Sequence, residues 1–419
     1  MGKRRNRVCG ADVHKDLIVA TIDSSDGTEI QEQFGTTRSE LERFRDWLIA
    51  NNCEQVAFEA TGVYWFPVYD CLSPSIDTIV ANPWMVKGLL GDKSDSHDAK
   101  RIAGNCLDGK IKRSRVFSNE DRALRMMTRA RSGYTKTQTQ FRNRVHKYLA
   151  LCGIKLSSCI SDIFGKSGRI ILDGLVEGKD ADSILDSITS KKIKKKRDII
   201  KAALANGLDD TSRMIVKDNL ELLDLLKKKI EKTSLEVLSK FQKSAKDLAI
   251  VMSIPGISFR SGSTILAEIG DYRDFQTPEQ IAKWCGLVPG LNESAGKKKQ
   301  CGITKQGSKS LRTMLVEIAQ VIAKMSNKKN KLSRYFHRLS ARKSYNVAIT
   351  ALARKLITII YHLLINQELY QENNCTTAAS KPVKRDLLYL SKDERLKDGV
   401  AAIVDAFYHL KNRYSVGGG

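Results

Sequence analysis

Residues 8–23 open on an alternating run and continue into an apolar one. VCGADV, ending at Val13, predicts a strand, His14 to Asp16 a turn, and LIVATI a second strand. FGTTRSELERFRDWLIANN then changes to helical spacing, with Leu41, Phe44 and Leu48 on one face and Thr37 or Ser39 placed to cap its start. The short apolar runs QVAFEA and TIVAN predict two further buried strands with a helical segment between them, and SHDAKRIAGN, residues 96–105, returns to helix. Residues 118–150 predict a polar, basic helix; a glycine- and serine-rich stretch follows from Ser157 to Gly178, then KKIKKKR at 191–197. Ile215, Leu222, Leu226, Ile230, Val237 and Phe241 fall near helical spacing and predict a long amphipathic helix, either a coiled-coil or dimer element or a helix packed on its own domain. SIPGISFRSGSTILAEIGD sets a Pro-Gly turn between two helices, the helix-hairpin-helix pattern whose exposed N–H groups hold phosphate. Leu356 to Ile365 is apolar but shorter than the roughly 20 residues that span a bilayer, and reads as a buried helix.

Leading strands, alternating helices and Asp12 on the first strand suggest an α/β domain of ribonuclease-H type. With 419 residues, 42% of them hydrophobic, and a mean hydropathy of -0.32, the chain has room for two or three domains. Those figures exclude a collagen, a disordered polyampholyte and a multi-span membrane protein. MGKRRNR is not followed by a secretory h-region, so a cytoplasmic, nucleoid-associated protein is expected. The nine cysteines show no CxxC and no zinc-finger spacing, and are expected as reduced thiols, mostly buried.

The charge is uneven. Overall there are 71 Lys and Arg against 47 Asp and Glu, a net of +24, which answers a polyanion. Residues 1–117 hold 16 basic and 17 acidic side chains, so the whole surplus lies beyond them; residues 248–355, with 19 against 6, are its densest part and the expected nucleic-acid face. Lys297, Lys298, Lys299, Lys305, Lys309 and Arg312 are the candidate nucleic-acid-binding residues there.

Within the near-neutral first region, Asp12, Glu59, Asp95 and Asp98 are the candidates for chemistry. Asp95 and Asp98 stand at i, i+3, on one face of a helical turn. Hard divalent cations such as Mg²⁺ want several carboxylate oxygens at one point, and two such ions can serve both the attacking and the leaving oxygen on a phosphate. From spacing alone the rival is that Asp95 and Asp98 merely start a helix and Asp12 sits at a turn. Ser294, in a small-residue loop before three lysines, is a candidate nucleophile that needs an activating base or metal; as a residue type it is more often a turn former, and spacing does not select it over Ser308. His14 and His97 adjoin the acidic positions but lack metal-ligand spacing, and Tyr64 and Trp65 read as packing residues.

GADVHKD, FEATGVYW, ANP followed by KSDSHDAKRIA, and SIPGIS…AEIGDYRDF…AKWCGLVPGLNESAGKKKQCGITKQGSKSLR occur in the order seen in DEDD transposases of the insertion-sequence one-hundred-ten family, which the chain resembles over residues 7–120 and 245–365. The resemblance implies a RuvC-like, ribonuclease-H-like N-terminal domain (1–120), a helical coiled-coil basic region (121–247), and a mainly α transposase domain (248–370) with a helix-hairpin-helix-like motif. A C-terminal extension (371–419) would follow. It further implies that Asp12, Glu59, Asp95 and Asp98 hold Mg²⁺ (or Mn²⁺) and that Ser294 attacks DNA to form a phosphoserine. The implied partners are donor and target DNA, a structured guide RNA, and further copies of the chain in a dimer or tetramer with composite active sites; no membrane is implied. Ala295 stands where the family commonly has glycine, Ser258 where a second hairpin glycine is usual, and residues 155–245 are longer and richer in lysine. Two rivals remain: a RuvC-like nuclease using metal-activated water, and a non-catalytic nucleic-acid-packaging protein.

Overall fold

Five strands form the first sheet: Arg7–Val13 (β1), Leu17–Ser24 (β2), Glu29–Gly35 (β3), Gln55–Glu59 (β4) and Asp77–Ala81 (β5), in the order β3-β2-β1-β4-β5. β1 pairs antiparallel with β2, and β2 with β3, while β1–β4 and β4–β5 are parallel. Helices Arg38–Ala50 (α1) and Trp65–Leu72 (α2) supply the crossovers, and Asp95–Leu107 (α3) packs on β1, β2 and β4. This is a computed structural model. It describes residues 5–60, 62–83, 95–294, 297–326, 330–372, 391, 394 and 397–415, with the backbone alone at 95–96, 291–294, 297–301 and 412–415.

The expected strands and helices of this region form where their apolar spacing placed them. β3 was not anticipated: in EIQEQFG only Phe34 is buried, because β3 is an edge strand with half its surface toward solvent. Phe34 closes the core against Phe44 and Trp47 of α1, at ring-centroid distances of 4.8 and 5.3 Å. Trp65 is buried and stacks on Phe66, as a packing role requires, while Tyr64 remains 44% exposed.

Gly10 fixes the depth at which α3 sits on the sheet. A Cβ there would lie 2.2 Å from both the Ala99 carbonyl oxygen and the Ala103 amide nitrogen. Backbone cannot retreat as a flexible side chain can, so Gly10→Ala should displace α3 and cost at least about 2 kcal/mol of stability. Thermal unfolding checks this, and an unchanged melting temperature would show that α3 is not seated on β1.

The chain divides into two compact units, residues 1–118 and 119–419. The second opens with the 33-residue helix Asn119–Leu151 (α4). Lys166–Val176 (α5), Ala181–Asp186 (α6) and Arg197–Leu204 (α7) follow, with single helical turns at Leu156–Cys159 and Lys191–Lys194. The stretch expected to be merely rich in glycine and serine thus contains a helix, in which Gly168 and Gly174 allow close packing on Ile163 and Ile184. Asp210–Lys240 (α8) is the long amphipathic helix, and its partner is α4 of the same chain. Val145 and Leu149 of α4 share a core with Val216, Leu220 and Leu223 of α8, whereas the start of α4 and the end of α8, Val237 and Leu238, meet a second core; the pair is therefore antiparallel. Between these cores, residues 132–144 of α4 and 224–236 of α8 contain no fully buried side chain.

The second core gathers Ala245–Met252 (α9), Phe259–Ile269 (α10), Pro278–Trp284 (α11), Lys309–Ala323 (α12), Lys331–Ser340 (α13), Tyr345–Asn366 (α14) and Lys397–Ser415 (α15). α14 is 22 residues, longer than the ten-residue apolar run suggested, and passes by length and composition for a membrane span; half of its apolar stretch is buried inside this fold. Leu352, Leu356 and Ile360 lie at its centre. The region is mainly α, as expected, with one addition: Pro289–Ser294 (β6) and Lys297–Ile303 (β7) form an antiparallel hairpin.

Candidate active site

β1 and β4 run parallel with Ala11 opposite Phe58, and the same offset sets Asp12 beside Glu59 where both strands end. α3 runs the opposite way. Cys106, near its end, donates its thiol to Gln55 Oε1 at the start of β4, and Ala99 and Ala103 lie over Gly10. Its first turn, with Asp95 and Asp98, is therefore carried toward the carboxyl ends of β1 and β4. Topology thus brings the backbones of all four sequence-predicted acids toward the carboxyl ends of the interior strands β1 and β4.

The side chains there have local partners. His14 Nε2 lies 3.0 Å from Asp12 Oδ2, and Arg101 Nη2 donates to Asp98 Oδ1 at 2.5 Å. Asp12 and Asp98 are 19% and 29% exposed, and Glu59 is half-buried. The Asp95 side chain lies outside the described residues. Carboxylate oxygens are the right donors for a hard cation in kind. Among the described residues, however, no three acidic, histidine or cysteine side chains converge closely enough to form a metal-binding set.

Ser294 is the last residue of β6 and pairs with Lys297, with Glu293 opposite Lys298 and Asn292 opposite Lys299. It therefore ends a strand, where a small-residue loop was expected; NES and KKK show no apolar alternation, and the Ala-Gly pair between them was the one local hairpin signal in the sequence. The side chains of Ser294 and Lys297 to Lys299, and Ala295 altogether, lie outside the described residues. The root of the hairpin is tightly built. Gly286 and Gly307 adopt φ of +67° and +86°, and a Cβ on Gly307 would lie 1.9 Å from the Trp284 carbonyl oxygen, so both positions require glycine. Arg312 Nη1 donates to the carbonyls of Cys285 and Lys305 at 3.2 and 3.1 Å, making this candidate nucleic-acid contact also a brace for the hairpin root. Lys305 and Lys309 are exposed.

Structure separates Ser294 from Ser308. Ser308 is buried, caps α12 by accepting from the Leu311 amide at 3.1 Å, and donates to Glu268 Oε2 at 2.8 Å. Glu268 was not singled out from the sequence. It is fully buried and receives Arg129 at 2.6 and 3.0 Å and Arg125 at 3.1 Å, both from α4. Burial pushes its carboxyl up, but the hydrogen bond from Arg129 and the charges of Arg125 and Arg129 outweigh this and hold it below the usual range. The available signal was an acid inside the apolar run ILAEIG, a position that demands a charged partner. Nearby, fully buried Arg131 donates to the Arg260 carbonyl, Ser263 Oγ and Thr264 Oγ1 at 2.9, 2.8 and 3.2 Å, and burial lowers its guanidinium to about 10. α4 is thus joined to α10 by hydrogen-bonded arginines as well as by apolar packing.

The Pro-Gly hairpin between α9 and α10 is present, with Gly256 at φ +88°. Ser258 and Ser261 form a capping box that uses the amides of both residues, so these donors are already engaged. All seven described cysteines are free thiols, and burial pushes Cys53 and Cys285 up to about 12.

Acids at the carboxyl ends of two central strands, a braced hairpin among basic residues and a large cationic surplus are features suited to a protein that acts on nucleic-acid phosphates. Family comparison sharpens this: residues 9–153 match the DEDD transposase model of the IS110 group, and residues 248–337 match the model described as transposase IS116/IS110/IS902 family. The chain belongs to this family of insertion-sequence transposases, DNA-recombining enzymes that generally depend on a divalent metal. It is 28% identical over 320 residues to a probable family 20 transposase of Pseudomonas aeruginosa, covering 75% of this chain and 85% of that protein. It is 25% identical over 371 residues to the transposase for insertion sequence element IS1111A of Coxiella burnetii, covering 87% and 91%. A pilin gene-inverting protein of Moraxella bovis is 29% identical over 118 residues, 28% of this chain and 36% of its own.

Proposed function

We propose that this transposase cuts and rejoins DNA through a phosphoserine on Ser294, with Asp12, Glu59, Asp95 and Asp98 as the residues that would hold Mg²⁺ or Mn²⁺. The carrying observation is the convergence of the carboxyl ends of β1 and β4 with the first turn of α3. The β3-β2-β1-β4-β5 order, with its antiparallel arm and parallel half, supports reading residues 1–120 as a RuvC-like domain. In the same reading, residues 121–247 are a coiled-coil basic region, 248–370 the serine-bearing transposase domain and 371–419 an extension.

A bound divalent cation supplies polarisation of the scissile phosphate and neutralisation of charge on the leaving oxygen. The serine gives up its proton as Oγ bonds to phosphorus, one P–O ester bond breaks, and the departing sugar oxygen takes up a proton. Attack by another sugar hydroxyl reverses these changes and rejoins the strand. Lys297, Lys298, Lys299, Lys305 and Lys309 attract the phosphate backbone of donor and target DNA. Pairing of the two DNAs by a structured guide RNA, and a dimer or tetramer in which one subunit's acids serve another's serine, complete the proposal.

On a suicide DNA substrate, full-length protein with Mg²⁺ should trap a covalent protein–DNA adduct that Ser294→Ala lacks. Cleavage retained without an adduct would sink the serine mechanism in favour of water attack. Sequencing of RNA that copurifies with the protein tests guidance: recovery of no element-encoded RNA speaks against it.

A further inference from the structure

We infer that a cavity of about 250 Å³ between α4, α5 and α8 is a binding site for one nucleotide of a single-stranded nucleic acid. It lies in the lysine-rich region that the catalytic proposal leaves without a role. Gln138 and Arg142 come from α4, Phe164 from the segment just before α5, Lys166 and Arg169 from α5, and Asp224 and Lys227 from α8.

Four cations meet in this space. Arg169 is engaged: it donates to Asp173 at 2.7 Å and, through both terminal nitrogens, to Asp224 at 2.8 Å, which clamps α5 to α8 and fixes the wall. Arg142, Lys166 and Lys227 form no ion pair among the described residues, and Lys166 and Lys227 are exposed. Converging like charges repel, so the site favours an anion. Its volume is below the roughly 300–1,000 Å³ of pockets that enclose a whole small ligand, which suits one unit of a polymer.

Phe164 decides which polymer. Its ring lines the cavity, carries the Arg142 guanidinium 5.2 Å from its centroid, and is met edge-on by His146 at 5.4 Å. An aromatic ring with an arginine beside it stacks an unpaired base, while lysines hold the adjoining phosphate. The Gln138 amide can both donate and accept at a base edge. Duplex bases are already stacked and cannot reach such a ring, so the ligand is a single strand or a looped-out nucleotide.

The inference rests on the nucleic-acid partner that family membership supplies, and not on the chemistry of Ser294. Its test therefore reads binding. Fluorescence anisotropy of labelled single-stranded RNA, single-stranded DNA of the same sequence and duplex DNA would be measured across a salt series, using full-length protein. Lys166→Glu/Lys227→Glu should weaken single-strand binding tenfold or more and flatten its log–log salt dependence by roughly 1.4. Duplex binding should change less than twofold. Phe164→Leu should lose at least about fivefold on single strands with the salt slope unchanged; the two exposed lysines keep the test valid if that variant folds poorly. A stronger loss on RNA or on DNA identifies the source of the strand, and either supports the site. Single-strand affinity within twofold of wild type in the lysine variant overturns it, as does an equal loss on duplex and single strand. The same losses are expected in a Ser294→Ala background, so failure of the serine mechanism is read separately.

Discussion

Glu268→Leu is expected to destabilise the second unit by about 3–5 kcal/mol, the range for removing one partner of a buried ion pair. The acid is fully buried, Arg125 is 17% exposed, and Ser308 donates its hydroxyl to the same carboxylate. Leucine keeps the volume but leaves guanidinium charge and a buried hydroxyl without their acceptor. Chemical denaturation checks the magnitude, and a loss below about 1 kcal/mol would show that water replaces the carboxylate. The triple variant Arg125→Met/Arg129→Met/Glu268→Met should recover much of the loss, since no charge then remains unpaired. The pH dependence has a definite sign. Because Glu268 is held below its ordinary value in the folded state, its contribution is present above the unfolded carboxyl range and is lost as pH falls through the folded value. Glu268→Gln should therefore flatten the acid limb of the stability profile.

Asp12→Asn and Glu59→Gln should each reduce strand transfer by at least about 100-fold, the scale for removing one electrostatic contributor to a phosphoryl-type transition state. Each replacement preserves shape and removes charge at the carboxyl ends of β1 and β4. DNA binding should remain within twofold, because the basic surplus lies beyond residue 117. Strand-exchange assays and anisotropy on the same preparations separate the two effects. Transfer retained at more than a tenth of wild type would exclude these carboxylates from catalysis.

Legibility in the sequence followed how local the determining physics was. α1 declared itself through periodicity, burying Leu41, Phe44 and Leu48 as one stripe, while β1 and β2 were visible as short apolar runs that are buried almost throughout. β3 was not, because one buried Phe34 among exposed neighbours makes no pattern. Asp12 and Glu59 were visible as acids ending apolar strands, but their adjacency required the parallel β1–β4 register, a long-range fact. Glu268 was hidden for the same reason: its arginines lie more than 130 residues earlier in the chain. Ser308 and Ser294 looked alike in sequence and separated only when burial and the α12 cap assigned one of them a structural task. The amphipathic character of α8 was legible, but its buried stripe lies elsewhere in part: Leu222 is 40% exposed while Val216, Leu220 and Leu223 are buried, and nothing local could say that α4 was the partner.

The antiparallel pair of α4 and α8 has its two cores at its ends and an unburied mid-section of about 13 residues in each helix. At 1.5 Å per residue this section is a ruler of about 20 Å. Since the cores draw on it only near its ends, through Phe141 and Leu235, matched insertions of whole heptads at its middle in both helices would lengthen the spacing while preserving the face each helix presents at its ends. Reach between the small helical cap and the serine-bearing core can thus vary independently of the stability of either.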